Sequence, residues 1–137
     1  MSLYLCVFDS DKDICGVDVG HYSDFGAFRN SICKLLENGI EGSKFPVLML
    51  HSDSDGEWTV SDCVNLEKEL TEIASAFAQM PPQPFLSDWQ LDTAKFLGIN
   101  PTNLNESFID VDGEPLILRL ITLCQFAQQH DLPITFQ

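Results

Sequence analysis

Positive charge is what this chain has least of. Lysine and arginine total 7 against 21 aspartate and glutamate, leaving a formal net charge of −14. A surface with that balance repels nucleic acid and anionic lipid, so neither is an expected partner, and it draws basic proteins toward itself. Long hydrophobic runs are also missing. No apolar stretch reaches the roughly 20 residues that a membrane-spanning helix needs. Residues 1–9, Met-Ser-Leu-Tyr-Leu-Cys-Val-Phe-Asp, carry no basic segment and no small-residue cleavage site. They read as a first strand, not a signal peptide. Closely paired cysteines are absent too. The 5 cysteines (Cys6, Cys15, Cys33, Cys63 and Cys124) are odd in number and widely spaced, with no C-x-x-C pair. Cys6, Cys33 and Cys124 lie among apolar neighbours, where a thiol behaves as a small hydrophobe. The pattern argues against a disulfide scaffold or a zinc centre and suits reduced thiols in a cytoplasmic protein. A thiol titration under denaturing, non-reducing conditions is expected to count all 5. A lower count that recovers on reduction would contradict that.

What the chain does have is material for a core. Strongly acidic chains without apolar residues stay disordered, but this one is 45% hydrophobic and contains 10 Phe. At 137 residues it reads as one domain over residues 1–137, long enough to bury about two-thirds of its unfolded surface. No repeat, low-complexity tract or linker divides it.

Residues 3–9 form a short apolar run suited to a strand buried on both faces. Asp9 to Gly20 reads as a loop with acids at Asp9, Asp11, Asp13 and Asp18. A helix is expected from about Ser23, as N-cap, to Glu37, with Phe25, Phe28, Ile32, Leu35 and Leu36 at helical spacing and Asn38-Gly39 as its stop. Phe45 to His51 reads as a second strand, bounded by turn residues. Asp55-Gly56 marks a turn, after which Glu57 to Val60 is a short returning strand. Ser61 is the expected cap of a long helix to about Met80, buried along Val64, Leu70, Ile73, Ala74 and Phe77. Met80-Pro-Pro-Gln-Pro84 breaks it. Ser87 to Leu97 reads as a shorter helix ended by Gly98, Pro101 to Asn105 as a turn, and Ser107 to Val111 as a short strand. Asp112 can cap a further helix, with Pro115 in its first turn and Leu116, Leu120, Leu123, Cys124 and Ala127 on its core face. Asp131 to Gln137 reads as a last strand, with Pro133 marking either a sheet edge or the start of the strand. The order points to an α+β or layered α/β domain, with a small sheet of about three to five strands against about four helices. Strand order and direction do not follow from it.

No constellation of residues carries convincing catalysis. Asp53-Ser-Asp55-Gly56 has the centre of a calcium loop, but the first ligand would be His51 and the last Asp62. Asp110-Val-Asp112-Gly113-Glu114 would begin at Phe108, and Asp9-Ser-Asp11-Lys-Asp13 lacks the turn glycine. No metal or other cofactor is therefore expected. His21, His51 and His130 lie far apart, and only His51, beside Asp53, suggests a catalytic His-Asp pair. Cys15 has acidic neighbours, which disfavour a reactive thiolate. Trp58 follows Asp53, Asp55, Gly56 and Glu57, which reads either as a large aromatic on the rim of an acidic loop or as a core residue packed under the next helix.

Three segments, Gly42-Ser43-Lys44-Phe45-Pro46, Asp55-Gly56-Glu57-Trp58 and Ile109-Asp110-Val111-Asp112-Gly113-Glu114-Pro115, resemble the immunity protein 70 family, found beside toxin genes of bacterial polymorphic toxin systems. The resemblance spans nearly the whole chain. It implies an α+β protein that binds and neutralises a cognate toxin domain in the producing cell, with no catalytic residues to carry over. The residues agree with such a role. A small acidic domain suits an inhibitor of a basic enzyme such as a nuclease, with Asp53, Asp55, Glu57 and Trp58, together with Asp9, Asp11 and Asp13, as the expected partner-binding residues. The alternatives are a small enzyme using His51 with a neighbouring acid, and a calcium-responsive binding module using the Asp9–Asp13 or Asp53–Asp55 loops. The oligomeric state is left open.

Overall fold

The computed structural model describes residues 2–10 and 12–137, with Asp13 described by its backbone alone. Among these residues it is an α+β fold, with a sheet of 4 antiparallel strands in the order β2-β1-β4-β3. Strand β1 (Ser2–Asp9) pairs with β2 (Lys12–His21) along its whole length, Ser2 opposite His21 and Asp9 opposite Lys12. Strand β4 (Ile134–Phe136) lies on the other side of β1, with Leu5 opposite Phe136, and in turn pairs with β3 (Glu57–Trp58).

The helices are α1 (Tyr22–Leu36), the single-turn α2 (Pro46–Met49), α3 (Val60–Phe77), α4 (Asp88–Leu97) and α5 (Leu116–His130). Successive residues of a strand point to opposite faces. Leu3, Leu5 and Val7 therefore share one face of β1 and join Val17 and Val19 of β2 in the core. Phe25, Phe28 and Ile32 of α1, Leu66, Leu70, Ile73 and Phe77 of α3, and Leu120, Leu123 and Ala127 of α5 close that core. Phe108 is wedged in it, its ring 5.2 Å edge-on from Phe28 and 5.9 Å from Phe77. The opposite face of β1 carries Tyr4, Cys6 and Phe8, and only Cys6 of these is fully buried. The Tyr4 ring lies against Gly16, where an added Cβ would come within 2.1 Å of the Tyr4 hydroxyl, so a side chain there would displace the ring.

Several expectations are corrected. Asp9 to Gly20 is not a loop but mostly strand β2. Its period-two pattern, Cys15, Val17 and Val19 toward the core, is masked by glycine and aspartate in the outward positions. Ser10, at φ 51, takes the left-handed conformation at the turn. Phe45 to His51 is not a strand but contains α2. Pro46 begins that helix and has no N–H for a ladder, and the free amides of Val47 and Leu48 donate to the Glu69 carboxylate of α3 at 3.1 and 2.9 Å. That acceptor comes from more than 20 residues away in the chain, so no local pattern announces it. Burial, the larger influence, raises the Glu69 pKa from its ordinary value against these two bonds.

Three helix starts also move. Helix α1 is capped by His21 in a box with Asp24, α3 by Thr59 in a box with Asp62, and α5 begins after Pro115. Ser87 and Gly98 bound α4 as expected, Gly98 at φ 70. The strand expected at Ser107 to Val111 shrinks to one bridge, Ile109 to Pro115, after a 3-10 turn at Asn105–Ser107. Strand β4 lies inside the sheet, and Pro133 stands just before it, where the missing N–H leaves the ladder intact.

Candidate partner-binding surfaces

The loop between α2 and β3 is held at both ends. The His51 ring stacks on Phe136 with centroids 4.2 Å apart. Its Nδ1 lies 2.8 Å from the Ser52 carbonyl oxygen and its Nε2 2.9 Å from that of Glu57. A neutral imidazole has one N–H and satisfies one of these carbonyls at a time. The Phe136 amide donates to the Gly56 carbonyl at 3.0 Å, and the Ser54 amide donates to Ser52 Oγ at 3.2 Å. The result is a short loop that presents Asp53, Asp55 and Glu57 to solvent. The expected His51–Asp53 pair is not what forms, because both ring nitrogens face backbone carbonyls.

Trp58 is not on the rim of this loop. It is 1% exposed, its Nε1–H donates to the Val47 carbonyl at 3.1 Å, and its ring packs edge-on to Phe136 at 4.6 Å. The reason is strand alternation. Glu57 points outward on β3, so Trp58 must point inward. Of the two readings of Trp58, burial in the core is the one observed, and the indole offers no surface to a partner.

Asp9 does not join this loop. Through the β3–β4–β1 register, Gly56 stands level with Leu5, midway along β1, whereas Asp9 lies at its end. Four residues of strand separate them by about 13 Å along the sheet. Asp9 is exposed, Asp11 lies outside the described residues, and so does the side chain of Asp13. Among the described residues, no three His, Cys, Asp or Glu side chains are grouped so as to hold a metal.

Arg29 is a buried charge with no counterpart among the residues expected at the site. It lies on the apolar face of α1 between Phe28 and Ile32, 8% exposed, with its guanidinium 4.4 Å from the centroid of the Phe25 ring. Among the described residues, its Nε and Nη2 have no hydrogen-bond partner. Burial lowers its pKa from the ordinary value, and the charges of Asp53 and Glu41 oppose that shift. The Asp53 loop therefore sits within the electrostatic reach of a buried cation. A lone arginine among helically spaced apolar residues was the available signal.

A second surface gathers around α4. Ala94 is its one buried residue, and its polar tethers run to Asp24 of α1. That carboxylate accepts from Ser87 Oγ, from Trp89 Nε1 at 2.9 Å, and from the His21 amide at 2.8 Å. A cavity of about 250 Å³ remains between α1 and the segment entering α4, lined by Ser23, Ala27, Pro84 and Gln90 among others. On another flank, Pro82, Phe85, Leu91 and Ile99 line an apolar groove of about 370 Å³. Leu86, Leu91, Phe96 and Leu97 are 74%, 47%, 88% and 52% exposed.

Together these features define a small acidic α+β domain with a pinned acidic loop and an exposed apolar helix. A family model described as Immunity protein 70 matches residues 3–136, and the chain belongs to that family. Searches of curated proteins and of solved structures found no match.

Proposed function

We propose that this protein is an immunity protein of a bacterial polymorphic toxin system, which binds a cognate toxin domain in the cytoplasm of the producing cell and neutralises it by occupation, not by catalysis. The family supports a toxin as partner. The net charge of −14 supports a basic toxin domain, as a nuclease would be, whose phosphate-binding groove the acidic side chains can fill.

The observation that carries the reading to a surface is the loop of Asp53, Asp55 and Glu57. Its acids are exposed, and its backbone is already held by His51 and Phe136, so little ordering is required on binding. Exposed charges at a rim act chiefly on encounter. Asp53→Asn with Asp55→Asn is therefore expected to lower the association rate with the neighbouring toxin and to flatten its salt dependence, leaving the dissociation rate nearly unchanged. Stopped-flow or surface-plasmon measurements across a salt series test this. An unchanged salt dependence would remove this loop from the interface.

A further inference from the structure

Helix α4 has a composition that its own packing does not explain. On a helical projection at about 100° per residue, Leu91 and Phe96 stand on either side of a strip formed by Asp88, Asp92 and Lys95, all five exposed. Leu86, just before the helix, is 74% exposed beside the cavity against α1. Large exposed side chains gathered on one peripheral element mark interaction surfaces more often than scattered ones do. An exposed Phe also ranks with the aromatic residues that anchor interfaces.

The charges decide which occupant fits. Two acids and one base leave the central strip negative, so it accepts a cationic side chain between two apolar contacts. A second copy of this chain is a poor occupant, because each copy carries −14 and presents the same negative strip. An anionic lipid surface is disfavoured for the same reason.

We infer that the α4 face on which Leu91 and Phe96 flank Asp88 and Asp92 is part of the interface with the toxin, and that it receives a segment of a basic protein with a lysine or arginine flanked by aliphatic or aromatic side chains. The inference rests on the immunity reading above. Helix α4 lies beside β2, with Trp89 against Gly20, and Asp24 of α1 tethers it there, so its exposed side chains are presented from a fixed helix. Contacts of this kind govern chiefly how long a partner stays.

The test uses the full-length protein and, as probe, the toxin domain encoded beside its gene. Leu91→Ser and Phe96→Ser, together, are expected to leave the protein folded with only a modest drop in melting temperature, to raise the dissociation rate by roughly tenfold or more, and to preserve the salt dependence of association. Equal dissociation rates for wild type and this folded variant would overturn the inference and leave the immunity role standing. Sedimentation of the protein alone provides a second arm. A dimer that dissolves in the variant would assign the face to a second copy and overturn the inference as well. If the wild-type protein fails to bind that toxin domain, the immunity reading falls, and the inference falls with it.

Discussion

Trp58→Ala is expected to destabilise the folded protein by about 3–5 kcal/mol, the usual range for truncating a buried aromatic. The indole is 1% exposed and fills the space between β3, α2 and the last strand. Its removal leaves a cavity and deprives the Val47 carbonyl of its donor. Trp58→Phe keeps a ring against Phe136 but still orphans that carbonyl, so a smaller loss is expected, about 1–3 kcal/mol. Urea unfolding of the two variants separates volume from hydrogen bonding. A loss below about 1 kcal/mol for the alanine variant would be incompatible with a buried indole. The effect should also reach the acidic loop. His51 lies 5.3 Å from the Trp58 ring and stacks on Phe136, so the support of Asp53 and Asp55 weakens when Trp58 is lost. Weaker toxin binding by this variant is therefore not evidence that Trp58 touches the toxin.

The second large effect is expected at Glu37, which is 3% exposed. Its carboxylate follows the end of α1 and accepts three backbone N–H groups, from Gly42 at 3.1 Å, Lys44 at 3.0 Å and Phe45 at 2.9 Å. Bonds to a charged acceptor are stronger than neutral ones, and a buried amide left without a partner costs about 1–3 kcal/mol. Glu37→Ala orphans all three. Some of these groups will reach water as the loop relaxes, so a net loss on the order of 3–5 kcal/mol is expected. Glu37→Gln should fall between wild type and alanine, because one oxygen remains while the amide NH₂ opposes a backbone donor. Amide exchange provides a local readout. The protons of Gly42, Lys44 and Phe45 should exchange faster in both variants relative to those of the β1–β2 ladder. Unchanged protection at these three amides would mean that Glu37 does not hold the loop.

Glu37 shows why part of this fold is hard to read from sequence. Gly42-Ser43-Lys44-Phe45-Pro46 is visible as a turn followed by an apolar run. Nothing local says that the run becomes the single turn α2 instead of a strand. The outcome depends on two carboxylates brought from elsewhere, Glu37 beneath the turn and Glu69 at the start of α2. Strand β2 was obscured differently, because an acid-rich segment with glycines resembles a loop until a neighbouring strand is available to pair with it. The long helices were legible because the apolar stripes of α1, α3 and α5 persist over several turns. Their first residues were less legible, since His21 and Thr59 compete for the cap with nearby serines.

The candidate surface divides in the same way. The exposed acids Asp53, Asp55 and Glu57 were legible, because a run of acids at a glycine turn has few places to go but solvent. Trp58 remained ambiguous, because an aromatic beside such a turn points inward or outward according to strand register. Phe96 and Leu91 were legible as helix residues, but their exposure depends on how α4 is set against α1.

What the sequence by itself determined is the sign of the charge, the sufficiency of the core, a mixture of helices with a small sheet and the positions of the three long helices. These follow from composition and from periodicity within single segments. Only the tertiary structure decided the strand order β2-β1-β4-β3, the burial of Trp58 and Arg29, the separation of Asp9 from the Asp53 loop, and the exposure of the α4 face. Each of these depends on partners distant in the chain, and pairing and burial between distant segments are set by the packing of the whole core.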